Sequence, residues 1–202
     1  MITKRISSSL SGHLDKAKDE IWYSVMPEYI KGIDSFEYII NRTLYRPREL
    51  IQFCKQIQDV SIDKSVDLPF DESSIIEAEG IYSKNRFDDI VAEYRFQHPG
   101  LDSVLETFRG SKLTLNKDEL DLHCLKISLG ELKVSELASW CNEIDIENLK
   151  DILWKIGFLK SKTTNQENNF VGVYEVRSLN IRNIEQFQIH NMFSSYLNCL
   201  EY

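Results

Sequence analysis

The 202-residue sequence predicts a mainly α protein: a helical domain over residues 1–110, then a second domain over 111–202 in which three helices lead into a small β-hairpin. Three observations predict it. Apolar residues recur at i, i+3, i+4 and i+7 through most of the chain, the spacing of a helix with one buried face. Several of these runs begin with Asp, Ser or Asn and carry Glu three residues later, the signature of a capped helix start. Phe170, Val171, Val173, Tyr174 and Val176 form the clearest β-rich stretch, next to a polar tip.

Taken in order, Ile2, Ile6 and Leu10 sit at helical spacing before Ser7–Ser9 and Gly12 weaken the pattern. Asp15 to Met26 reads as a helix whose apolar side is Ile21, Trp22 and Val25, stopped or kinked by Pro27. Asp34 with Glu37 opens a helix through Phe36, Ile39, Ile40 and Leu44. Pro47 then suits the first position of another helix, since its missing N–H would be unpaired there anyway. That helix buries Leu50, Ile51, Phe53, Cys54 and Ile57, and Ser61 to Phe70 reads as a polar linker. Ser74 with Glu77 is expected to cap a long segment with Ile75, Ile76, Ala78, Ile81, Tyr82, Phe87, Ile90, Val91 and Tyr94 inward. Gln97 to Gly100 is a turn, and Leu101, Val104, Leu105 and Phe108 form a short helix closed by Gly110.

In the second domain Asn116 with Glu119 caps a helix through Leu120, Leu122, Leu125 and Leu129. Ser135 starts a short helix with Leu137, Ala138 and Trp140, and Asp145 caps a third through Leu149, Ile152, Leu153 and Ile156. Phe158 to Lys160 is extended, Ser161 to Asn169 is the polar tip, and a strand returns from Phe170. Three helices and a hairpin in this order make a winged helix-turn-helix. The tail from Glu185 through Ile189, Met192, Phe193, Tyr196, Leu197 and Leu200 reads as a final packing helix.

The composition excludes several classes of function. With 42% hydrophobic and 28% charged residues the chain has the make-up of an ordinary globular protein. No apolar run approaches a membrane span, so no membrane partner is expected. Cys54, Cys124, Cys141 and Cys199 are scattered without a C-x-x-C pair, which points to reduced thiols in a cytoplasmic protein. The net charge is −8; residues 1–110 hold 14 basic and 19 acidic groups, residues 111–202 hold 10 and 13, so neither half offers a basic field for nucleic acid. There is no G-x-x-x-x-G-K-[ST], G-x-G-x-x-G or G-x-S-x-G, and no metal-ligand spacing, so no catalytic residue, metal site or cofactor is assigned to this chain alone.

The segment with most chemical content is Asn41 to Leu50, which sets Arg46 and Arg48 on either side of Pro47 at a helix start. The positive end of a helix receives phosphate readily, and guanidinium forks match phosphate oxygens. Arg46 and Arg48 are therefore candidate nucleotide sensors, with Arg42 as a third; the competing reading is an exposed pair bonded to Glu49 or another carboxylate. In the winged-helix unit the third helix would carry any DNA contacts. Lys150 and Lys155 on it, with Lys160 and Lys162 in the wing, are candidate DNA or partner contacts. The helix also carries Glu147 and Asp151, which leaves it near charge balance and favours protein packing over DNA.

The runs RTLYRPRELIQF, SSIIEAEGIYSKNRFDDIVAEY and FQIHNMFSSYL resemble the C-terminal half of bacterial P-loop ATPases of the KAP- and STAND-like kind, and more loosely proteins labelled FunZ. In such proteins a nucleotide-binding core precedes a helical lid and a winged helix. The resemblance implies that residues 1–110 are lid-like and that Arg46 or Arg48 takes the place of the arginine sensing bound nucleotide. It also implies that ATP and Mg belong to a core upstream of Met1 or on another chain. The chain departs from the pattern in having no P-loop or acidic metal-binding strand, and Asn191 follows His190 where a proline is expected. The expected function is noncatalytic: regulation and coupling of an ATPase core to an effector. A winged-helix DNA-binding regulator and a free-standing adaptor are the alternatives.

Overall fold

The computed structural model describes residues 18–163, 170–176 and 179–200. The expected helix at Ile2, Ile6 and Leu10, and residues 164–169 of the polar tip, lie outside them. The described residues are mainly helical, with two small antiparallel sheets. The chain divides into two compact units, Met1–Tyr82 and Ser83–Tyr202. The boundary falls inside a long helix rather than near residue 110, because one unbroken helical period runs through it and leaves no linker to mark the change.

The first unit contains α1 (Lys18–Tyr23), a hairpin of β1 (Tyr29–Ile30) and β2 (Ile33–Asp34), α2 (Ser35–Ile40), α3 (Pro47–Asp63) and the start of α4 (Glu72–Tyr94). The hairpin was not legible in the sequence, since each strand has two residues. Its tight turn carries Lys31 and Gly32 at positive φ, and Ile30 packs beneath it with no exposure. Asp34 caps α2 as expected, accepting from the Glu37 N–H at 3.0 Å. The helix stops at Ile40 instead of reaching Leu44, because the Arg42 and Thr43 N–H groups turn back to Ile39 and Ile40 carbonyls.

Pro47 does open α3. That helix runs on to Asp63, past the expected linker start, because Val60 and Ser61 are both buried. Ser74 does not cap α4. It is buried within the helix, and Asp71 accepts from its N–H at 3.2 Å. A carboxylate at the positive helix end outcompetes a serine one turn further in. Trp22, Met26, Ile30, Tyr38, Ile39, Leu50, Phe53, Ile57, Ile75, Ala78 and Tyr82 form the core of this unit. Phe53 and Tyr82 stack with ring centroids 4.4 Å apart. Ile76 and Ile81, expected inward, are exposed.

The second unit takes the rest of α4, α5 (Leu101–Glu106), β3 (Thr114–Asn116), α6 (Lys117–Ser128), a 3-10 turn (Glu136–Asn142), α7 (Ile146–Lys155), β4 (Leu159–Lys162), β5 (Phe170–Val171), β6 (Gln186–Ile189) and α8 (Asn191–Leu197). Asn116 and Glu119 form the full reciprocal capping box of α6, and Asp145 caps α7 through the Asn148 N–H. Gly100 precedes α5 with φ near 72°, where a Cβ would lie 2.5 Å from Ser135 Oγ and 2.8 Å from Ala138 N, so the close approach of the 3-10 turn requires glycine.

The four strands lie in the order β3-β6-β4-β5, all antiparallel, with Leu115 opposite Phe187 and Leu159 opposite Ile189. Two expectations fail here. The returning strand is only Phe170–Val171, and Val173 to Glu175 form a turn. The tail is not helical from Glu185: β6 alternates exposed Gln186, buried Phe187, half-buried Gln188 and buried Ile189, and only Asn191 onward is helix. His190, fully buried, caps α8 by accepting from the Met192 N–H at its Nδ1.

Candidate functional site: an arginine turn at a helix start

Tyr45 has φ near 54°, which turns the chain sharply into α3. Arg46 is the N-cap with extended backbone and no side-chain capping bond, Pro47 is the first helical residue and Arg48 the second. The Arg46 guanidinium is 63% exposed and its Nη1 lies 3.8 Å from Glu49 Oε1, a loose contact. Arg48 is exposed and makes no ion pair among the described residues.

Glu49 belongs to this turn, and the sequence offered it only as a partner of the two arginines. Its side chain is buried, and Oε2 accepts from the Leu44 N–H at 2.6 Å. The carboxylate therefore already supplies negative charge to the helix start and fixes the path of the incoming chain. An incoming phosphate would share this positive end with Glu49, so recognition would rest on the guanidinium groups more than on the helix end.

Arg42 is placed differently from the other two and corrects the expectation that groups them. It is 3% exposed; Nε lies 2.8 Å from Glu79 Oε1, close enough to pair although not aligned for a hydrogen bond. Its Nη1 donates to the Tyr38 carbonyl at 3.0 Å and its guanidinium lies over the Tyr38 ring at 3.4 Å. Tyr38 Oη donates to Glu79 Oε2 at 2.5 Å. Arg42 is thus held inside its own unit by groups from α2 and α4. Nothing in the sequence tied Glu79 to it across that separation.

The lysines of the second unit also separate. Lys150 is fully buried, and Nζ lies 2.5 Å from Asp121 Oδ1 and 2.7 Å from Glu147 Oε1. Lys160 is 7% exposed, and burial lowers the pKa of its ammonium group. Neither is available for a phosphate backbone, which corrects the expectation for both. Lys155 is exposed and paired with Asp151 at 2.5 Å, and Lys162 is half-buried at the end of β4. Only Lys155 and Lys162 of the four keep an outward position.

Burial pushes the Cys124 and Cys141 thiols up to about 12, which makes both poor nucleophiles. Among the described residues no group of three or more His, Cys, Asp or Glu is placed to hold a metal ion, and no helix is long and apolar enough to cross a membrane.

The arginine turn, Glu49, Tyr38, Arg42 and Glu79 all lie in the N-terminal part of the chain. Residues 1–91 match the family described as the FunZ-associated C-terminal helical domain. The match includes all of the first unit and most of α4. No curated protein and no solved structure matches the chain.

Proposed function

We propose that this chain is a noncatalytic regulatory and coupling region of a P-loop ATPase, whose core, with its ATP and Mg, is supplied in cis or in trans. Arg48, helped by Arg46, faces the terminal phosphate of nucleotide bound to that core. The second unit is a winged helix that carries the response to an effector protein. The observation that carries this reading is the exposed Arg46–Pro47–Arg48 turn within a stretch similar to a C-terminal helical domain. An arginine that only braces its own fold would be paired and buried, as Arg42 is. A sensing arginine must remain free to reach another domain's phosphate, where a single guanidinium contributes strongly to transition-state charge.

The strand order β3-β6-β4-β5, with α6, the 3-10 turn and α7 preceding the hairpin, supports the winged-helix reading. DNA is the less favoured partner of that unit, because Lys150 on the third helix is consumed by two carboxylates. The test is ATP turnover by the ATPase core joined to or mixed with this chain. Arg48→Ala should lower turnover or uncouple it from the effector, with Arg46→Ala weaker. A double alanine variant that turns over ATP with normal coupling overturns the reading.

A further inference from the structure

We propose that the four-stranded sheet holds a small oxoanion, phosphate or carboxylate, between Lys160 and Gln188 on the face turned away from the core. The register sets one polar row across the strands. Thr114 of β3 lies opposite Gln188 of β6, and Gln188 lies opposite Lys160 of β4. The flanking residues Leu159, Ser161, Phe187 and Ile189 are fully buried, so the row itself lies on the other face. Directly opposite side chains on one face start about 4.5–5.5 Å apart at Cβ, within reach of a shared ligand. Among the described residues, the Lys160, Gln188 and Thr114 side chains make no hydrogen bond or ion pair. Lys160 is 7% exposed, and an ammonium group at that depth ordinarily has a partner.

The surroundings select a small anion. Burial lowers the pKa of the Lys160 ammonium, as befits a charge without a counter-ion. Glu175 opposes that shift, yet its Oε1 accepts from the Gly172 N–H at 2.9 Å and it forms no ion pair with Lys160. Val171 pairs with Ser161, which puts the next residue, Gly172, beside Lys160. The Tyr174 ring takes the space of a Gly172 Cβ, with Cε1 2.2 Å from that position. Its Oη lies 3.0 Å from Nε2 of His190, the residue after β6. Nδ1 of His190 accepts from the Met192 N–H, so Nε2 carries the proton and donates to Tyr174. The ring therefore spans β4, which lies between β5 and β6, and walls the row at Lys160. That depth keeps out a polymer phosphate backbone. A single oxoanion, accepting from the Lys160 ammonium and the Gln188 amide, supplies the missing counter-ion.

The experiment is isothermal titration calorimetry of the full chain with inorganic phosphate and, separately, with acetate, each against chloride at equal ionic strength. Saturable binding of phosphate or acetate, and not of chloride, is the expected result, and the tighter of the two identifies the oxoanion. The Lys160 side-chain NMR signals of the wild-type chain should move along the same saturation curve, a readout that needs no variant. Lys160→Met should weaken binding by about tenfold or more, since a charge-assisted bond is lost. It should melt no lower than wild type, because an unpaired buried charge is removed. Glu175→Gln keeps an acceptor for the Gly172 N–H and should tighten binding by taking away the competing charge. Arg46→Ala with Arg48→Ala removes the other phosphate candidate and should leave the Lys160 response unchanged. Absence of saturable oxoanion binding by the wild-type chain overturns the inference. So does binding that leaves the Lys160 signals unmoved, that survives Lys160→Met, or that disappears with the two arginines.

Discussion

The Arg42 guanidinium on the turn after α2 lies 2.8 Å from the Glu79 carboxylate on α4, and both side chains are almost wholly buried. Glu79 also receives the Tyr38 hydroxyl, so one carboxylate joins α4 to two residues of the α2 region. Removing a single partner leaves the other charge buried and uncompensated, which costs about 3–5 kcal/mol. Arg42→Ala and Glu79→Ala should each lower the unfolding free energy by that order in urea denaturation. Arg42→Met with Glu79→Leu should recover much of it, since the buried charges go together. If both single variants stay within experimental error of wild type, the pair is not holding the helices.

His123 provides a pH-dependent test. Burial, with Lys126 nearby, lowers its pKa from 6.5 to about 4. Its Nε2 is 2.9 Å from Thr107 Oγ1, and its ring lies 4.0 Å from that of Phe108. The Thr107 hydroxyl donates to the Val104 carbonyl, so the neutral imidazole donates from Nε2 to Thr107 Oγ1. The folded state keeps the ring neutral while the unfolded chain takes up a proton near 6.5. Stability should therefore fall as pH drops from about 6.5 and level off below about 4, by on the order of 3 kcal/mol at most. His123→Gln should remove this part of the slope. An identical slope in the variant between pH 4 and 6.5 would assign it to other groups.

Much of the helical skeleton was legible because it rests on local chemistry. Asp34, Asn116 and Asp145 cap the helices expected of them, and Pro47 opens α3. What was not legible has two sources: local signals that compete with one another, and contacts distant in sequence. Ser74 looked like a cap because a serine followed by glutamate fits the pattern, yet Asp71 holds that role. The alternation of Gln186 to Ile189 was present in the sequence, but four residues beside a helical run are too few to decide between periods. At the candidate site, Arg46 and Arg48 were legible from the proline between them. Arg42 and Lys150 were not distinguishable from surface residues, because Glu79 and Asp121 reach them from other helices.

DNA binding by this chain should be weak and lost near physiological salt. The net charge is −8, Lys150 and Lys160 are buried, and Lys155 is already paired, so few phosphate counterions would be released on binding. Fluorescence anisotropy with duplex DNA across a salt series measures this. Sub-micromolar, sequence-selective binding at physiological salt, reduced by Lys155→Ala and Lys162→Ala, would move the second unit to a DNA-reading role.

Arg46 and Arg48 should separate in function while being equivalent in stability. Both are exposed, and the contact of Arg46 with Glu49 is long, so replacing either by alanine should change the unfolding free energy by less than about 0.5 kcal/mol. Glu49→Ala should behave differently, because its buried carboxylate satisfies the Leu44 N–H at the start of α3. Loss of that bond should cost about 1–3 kcal/mol, the penalty of a buried donor left unmet. Urea unfolding of the three variants gives the comparison, and ATP turnover with the core gives the functional half. If Arg48→Ala destabilises the chain as much as Glu49→Ala does, its guanidinium is structural, and a loss of turnover in that variant would say nothing about nucleotide. A stable Arg48→Ala chain with impaired turnover would place the defect at the phosphate.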